Sequence, residues 1–153
     1  MLGDSLCILI VSNLGDVRNA RSLVVPPVDL CLSSPPYMCK DDREDPLTGY
    51  QSSGKGYDTY LTQLCEVYVA FSERLTPTGH LVIEAANLKS KGEVTTFAWD
   101  LANRLAVELR FLGETVVVWD SYGYGYEHSY CLTFERFEPG SSAAEASVGA
   151  PTV

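Results

Sequence analysis

Hydrophobic and polar positions along this chain fall into blocks whose period changes from one to the next. Residues 6–11 (Leu-Cys-Ile-Leu-Ile-Val) are continuously apolar with β-branched members, the pattern of a strand buried on both faces. Asn13-Leu14-Gly15-Asp16 breaks that run. Residues 17–25 predict a short helical turn, stopped by Pro26-Pro27. Residues 28–32 predict a second strand, which runs into Ser33-Ser34-Pro35-Pro36-Tyr37. Further on the period becomes helical. Tyr60, Leu61, Leu64, Val67, Tyr68, Phe71 and Leu75 recur at steps of three and four, with Asp58 as the expected N-cap and Pro77-Thr78-Gly79 as the stop. Residues 80–86 predict a third strand, with His80 as its first residue. A second helix is expected over 94–112, with Phe97, Leu101, Leu105 and Leu109 on one stripe and Gly113 as C-cap. Residues 115–119 predict a fourth strand. Residues 129–137 alternate as a fifth, reached by a tight return through the aromatic stretch Tyr122-Gly123-Tyr124-Gly125-Tyr126.

Between these blocks the chain is polar. Residues 38–56 hold the acidic cluster Asp41, Asp42, Glu44 and Asp45 and then Ser52-Ser53-Gly54-Lys55-Gly56, which reads as a mobile surface loop. Residues 139–153 are rich in Ser, Ala and Gly without periodicity and are expected to be a disordered tail, leaving one domain over 1–138. Alternating strands and helices predict an α/β sheet, mostly parallel, covered by helices on both faces. The last strand, joined to its predecessor without a helix, is expected to be antiparallel.

At 153 residues the chain can bury a real core. Its net charge of −9 has the wrong sign for gripping phosphate backbones unaided, so a nucleic-acid partner would need basic surface from a local patch or from elsewhere. Five cysteines are an odd, widely spaced set without a Cys-x-x-Cys pair. They read as reduced thiols of a cytoplasmic protein, with neither a disulfide framework nor a metal site expected. No apolar run approaches the roughly 20 residues needed to span a bilayer, so no membrane partner is expected.

The chemistry concentrates where the second strand ends. Two prolines fix φ and remove N–H donors, so the carbonyls of Ser34 and Pro35 point in nearly fixed directions and form a rigid acceptor array. Tyr37 directly after them offers a flat ring for a nucleobase, and acceptors beside a stacking ring suit an exocyclic amino group. A strand-terminating turn with a half-buried tyrosine would use the same four residues. Asp16 also falls at the C-terminal edge of the expected sheet, where open α/β sheets bind ligands, although a turn or helix cap is an equal reading of it.

In order, Gly15-Asp16, then Val28-Asp29-Leu30-Cys31-Leu32-Ser33-Ser34-Pro35-Pro36-Tyr37, Tyr60-Leu61, the stretch from Glu73 through Thr76-Pro77-Thr78-Gly79 to Ile83, and Glu127-His128-Ser129-Tyr130-Cys131-Leu132 resemble the amino-group methyltransferases that use S-adenosylmethionine: the cytosine-N4 and adenine-N6 DNA methylases and related RNA methylases. The resemblance implies a Rossmann-like methyltransferase sheet and methyl transfer to a nucleobase amino group, in DNA more than in RNA. It implies that Ser34 and Pro35 hold the amine, Pro36 stiffens the loop and Tyr37 stacks on the base, with Asp16 and Ser33 on the cofactor side.

The chain also departs from that family. A Phe-x-Gly-x-Gly-like cofactor loop is not found in these residues, and Gly123 and Gly125 lie in another context. The usual Lys-Pro-Gly-Gly before the third strand is Thr76-Pro77-Thr78-Gly79. The expected sheet is therefore incomplete, the catalytic half of a methylase whose cofactor half comes from a partner chain or through self-association. An inert methylase-like interaction subunit and a tRNA base methylase are the alternatives.

Overall fold

The computed structural model describes residues 16–22, 26–52, 56–120 and 125–137. The strand expected over 6–11, most of the aromatic stretch and the expected tail lie outside the described residues. A 3-10 turn over Val17–Ser22, with a kink at Asn19, occupies the expected short helical segment. Strand β1 (Val28–Ser33) follows, then a small hairpin of β2 (Glu44–Asp45) and β3 (Gln51–Ser52), helix α1 (Gly56–Ser72) and strand β4 (Leu75–Ala85). A second hairpin of β5 (Leu88–Ser90) and β6 (Glu93–Thr95) leads to helix α2 (Phe97–Leu105), strand β7 (Arg110–Val118) and strand β8 (His128–Glu135).

The main sheet has the order β1-β4-β8-β7. β1 and β4 pair parallel, and β8 is antiparallel to both β4 and β7, so β1, β4 and β7 run one way and the last strand runs against them, as the sequence predicts. A parallel pair needs a crossover, and α1 supplies it. Its buried positions Tyr60, Leu61, Leu64, Val67 and Tyr68 keep the three- and four-residue spacing read from the sequence. Tyr60, Leu61, Leu64 and Tyr68 join Leu81, Ile83 and Ala85 of β4, Leu132 and Phe134 of β8, and Phe97, Leu101 and Leu105 of α2 in one core.

Several expectations need correction. The helices cover one face of the sheet among the described residues, not two. Leu30 and Leu32 of β1, which sit beside His80 and Val82 of β4 on the other face, are 58% and 68% exposed. Asp58 lies in the first turn of α1 rather than at its N-cap, because the helix begins at Gly56. Pro77-Thr78-Gly79 does not stop that helix. It lies within β4, where the pairing with β1 slips from Val28↔Leu75 to Leu30↔His80, and Thr76 Oγ1 donates to Asp29 Oδ1 at 2.7 Å across the bulge. Gly79 is required there, since a Cβ would come within 2.9 Å of the Val28 carbonyl.

α2 is shorter than expected, and Gly113 is no helix cap. It sits inside β7 at φ +118°, beside a bulge between Phe111 and Gly113. The stretch 38–52 is built rather than loose. Met38 and Asp45 are buried, and Asp45 Oδ1 accepts from the Leu47 N–H at 2.9 Å, capping a 3-10 turn at Pro46–Thr48.

Candidate active site at the end of β1

β1 delivers Ser33 to the C-terminal edge of the sheet, and the next four residues are bolted from three directions. From α1, the Tyr60 hydroxyl donates to the carbonyl of Pro36, and the Tyr68 hydroxyl is hydrogen-bonded to Ser33 Oγ at 3.2 Å. From α2, the Phe97 ring packs 5.4 Å from that of Tyr37 and stacks on Tyr60. From β4, Glu84 Oε2 accepts from Ser34 Oγ at 2.7 Å and from the Tyr37 hydroxyl at 3.1 Å. Pro35 is buried, while Ser34 and Pro36 face outward. Burial pushes the Tyr60 and Tyr68 hydroxyls well above the ordinary tyrosine range, so both remain protonated.

Three clefts meet at this loop. The first, about 430 Å³, is lined by Asp16, Ser33, Ser34, Pro35 and Pro36 against an apolar wall of Leu64, Val67 and Phe71. Asp16 and the Ser-Pro-Pro loop, separate in the sequence, therefore share one cleft. The second, about 450 Å³ and polar, has Tyr37 on its wall together with Asp41, Asp42 and Lys91. The third, about 470 Å³, lies over the helix-free face between Leu32, Ser34, Glu84, Val117, Trp119 and Cys131. Ser34 thus faces two clefts and the Tyr37 ring faces the remaining one.

Asp16 is exposed and held by Arg18, whose Nε approaches its two oxygens at 2.9 and 3.0 Å. Hydrogen bonds from the Arg18 side chain and backbone lower its carboxyl to about 2. A ligand that uses this carboxylate must share it with a guanidinium. Cys39, Asp41 and Asp42 place ligand atoms within 4.8 Å of one another, but Asp41 pairs with Lys91 and Asp42 accepts from the Cys39 N–H. Those bonds account for the cluster without an ion. Cys31, Cys39, Cys65 and Cys131 are free thiols. His80 is a strand residue whose Nε2 lies 4.0 Å from Glu135, away from the loop. No helix among the described residues is long and apolar enough to cross a membrane.

Sequence reading missed Glu84, Tyr60 and Tyr68 as partners of the loop. Glu84 carried a signal: it is a lone acid in an otherwise apolar strand core, Leu81-Val82-Ile83-Glu84-Ala85. The tyrosines were legible only as core positions, because periodicity reports burial and is silent about where a hydroxyl points.

No protein-family model and no curated protein matches this chain. Solved structures do. Two structures of a "Putative DNA Modification Methylase" from Thermus thermophilus superpose with TM-scores of 0.59 and 0.58 at 19% and 20% identity, covering 90% of this chain. A third, of the same protein complexed with S-adenosyl-L-methionine, gives a TM-score of 0.56 at 20% identity. This chain spans 58% to 59% of the length of those proteins. Over nearly its whole length, the chain has a methyltransferase-like fold, with the Ser34-Pro35-Pro36-Tyr37 loop directly after the C-terminal end of β1.

Proposed function

We propose that this chain is the catalytic half of an S-adenosylmethionine-dependent methyltransferase acting on an exocyclic amino group of a nucleobase, cytosine N4 or adenine N6, in DNA more than in RNA. The observation that carries this reading is the coincidence of Asp16 and the rigid Ser34-Pro35-Pro36 loop in one cleft of a methyltransferase-like sheet. Its volume falls in the ordinary range for small-molecule sites, about 300–1,000 Å³. Its apolar wall and single carboxylate suit an aromatic heterocycle that carries donors. Asp16 and Ser33, which line this cleft, would hold the cofactor. When bound, it would supply an electrophilic methyl group.

The chain's own part is positioning. With the Pro36 carbonyl taken by Tyr60, the acceptors left to the amine are Ser34 and the carbonyl of Pro35, which would aim its nitrogen lone pair at the methyl group. Tyr37, fixed by Phe97 and Glu84, would stack on the base from its own side of the loop. A partner chain or a second copy would complete the cofactor side. The exposed Leu30 and Leu32 on the helix-free face support this.

The test is incubation of the full chain with methyl-labelled S-adenosylmethionine and DNA, followed by hydrolysis and separation of methylated bases. Label in N4-methylcytosine or N6-methyladenine is expected. Ser34→Ala and Pro35→Ala should each lose roughly 10²-fold or more of it, the scale of a misaligned attack, while cofactor affinity by calorimetry stays within a few-fold. Near-normal turnover in Ser34→Ala would remove the assignment. Absence of both transfer and cofactor affinity, with and without a partner, would favour an inert interaction subunit.

A further inference from the structure

Glu84 is the one carboxylate of β4, and it stands beside Cys131 of β8 on the helix-free face. A single oxygen, Oε2, receives both Ser34 Oγ at 2.7 Å and the Tyr37 hydroxyl at 3.1 Å. A serine hydroxyl has one proton and two lone pairs, whereas an ionised carboxylate only accepts. Ser34 must therefore spend its proton on Glu84. What it presents to the cleft it shares with Asp16 and Pro35 is an acceptor.

We infer that Glu84 is the specificity residue of this site: by fixing the hydroxyl polarity of Ser34 it admits heterocycles with an amino group and rejects those with an oxo group at the same position. This rests on the reading that the loop receives a nucleobase amine, and it adds a selector outside the loop. An exocyclic amine donates to Ser34 Oγ. A carbonyl oxygen in its place meets lone pairs and has no donor to take. Glu84 is thus a positioning residue that acts through Ser34, and its second bond, to Tyr37, is the strut that holds the loop closed.

The experiment titrates free deoxycytidine against deoxyuridine, and deoxyadenosine against deoxyinosine, into the full chain by saturation-transfer NMR. In the wild-type protein the amino member of a pair should bind roughly tenfold tighter, the size of one hydrogen bond made against one unmade. Glu84→Gln offers Ser34 an amide that can donate as well as accept, so the preference should collapse toward equality. Ser34→Ala should reduce it to what the Pro35 carbonyl alone gives and serves if Glu84→Gln fails to fold. Tyr37→Phe removes the strut but leaves the Ser34 bond, so it should keep the preference. A wild-type preference that is undiminished in Glu84→Gln or in Ser34→Ala overturns the inference and leaves the amine reading standing. Equal loss in Tyr37→Phe also overturns it, since Glu84 would then act only as a strut. A wild-type protein that does not distinguish the pairs overturns the amine reading itself.

Discussion

The hydroxyl of Tyr60 donates to the carbonyl of Pro36, so a helix that serves as the sheet's crossover also fixes the direction of a proline carbonyl in the candidate active site. Tyr60 is fully buried and sits in a run of apolar helix positions. Tyr60→Phe keeps the ring against Phe97 and removes only this bond. Stability should fall by about 0.5–1.5 kcal/mol, the net worth of one hydrogen bond. Methyl transfer, if the proposed function holds, should fall by more than that loss explains, because the loop is freed to rotate. Denaturant unfolding beside turnover measures both. Unchanged turnover would mean that the prolines alone hold the geometry.

Tyr37 separates two roles. Its ring packs on Phe97 and its hydroxyl reaches Glu84. Tyr37→Ala should weaken base capture by about 1–3 kcal/mol if the ring stacks on a base, and Tyr37→Phe should cost only the hydroxyl's bond, about 0.5–1.5 kcal/mol. Equal damage from both variants in an oligonucleotide-binding assay would show that the hydroxyl matters and that stacking is the wrong role.

Alkaline solution should unfold this protein by a route visible in its core. Burial holds the Tyr60 and Tyr68 hydroxyls above their ordinary 10.0, and lifts the Cys65 thiol from 9.0 to about 12. The unfolded chain releases these protons at the ordinary values while the folded chain keeps them. Unfolding therefore sheds protons above about pH 9, and stability, complete below that, falls as pH rises. Chemical denaturation from about pH 8 to about pH 11 should show the decline, and a flat profile would contradict it. Asp16 behaves in the opposite sense. Its carboxyl, held at about 2 by Arg18, stays ionised until pH falls to that value. Arg18→Ala should return it toward 3.8 in a carboxyl NMR titration.

The elements that enclose the site were legible because apolar strand runs and a period of three and four survive in the residues themselves. Val28–Ser33, the Tyr60-to-Tyr68 stripe and the antiparallel last strand stand where hydrophobicity put them. Thr76–Gly79 and Gly113 were misread because proline and glycine terminate helices and also build bulges, and only the facing strand decides which. Ser34, Tyr37 and Asp16 were singled out by residue chemistry plus an expected position at a strand end. Glu84 was not, because its importance comes from a register, Leu32↔Val82 and Ser33↔Ile83, that brings it under a loop fifty residues earlier.

The helix-free face makes the last prediction. Leu30 and Leu32 are more than half exposed on β1, which is an outer strand of the main sheet among the described residues. Exposed apolar strand faces of this kind mark association surfaces. The chain alone should bind S-adenosylmethionine weakly and should associate through this face. Leu32→Lys sets a charge on it at little expense to folding, within about 0.5 kcal/mol for a largely exposed site. Sedimentation velocity over a range of concentrations should show the wild-type protein as a dimer or larger and Leu32→Lys as a monomer. Co-expression with a chain that carries a glycine-rich cofactor loop should restore tight cofactor binding to the wild-type protein and much less to Leu32→Lys. A wild-type protein that stays monomeric throughout and binds S-adenosylmethionine at micromolar concentration unassisted would refute this, and would show that these residues complete the cofactor side without a partner.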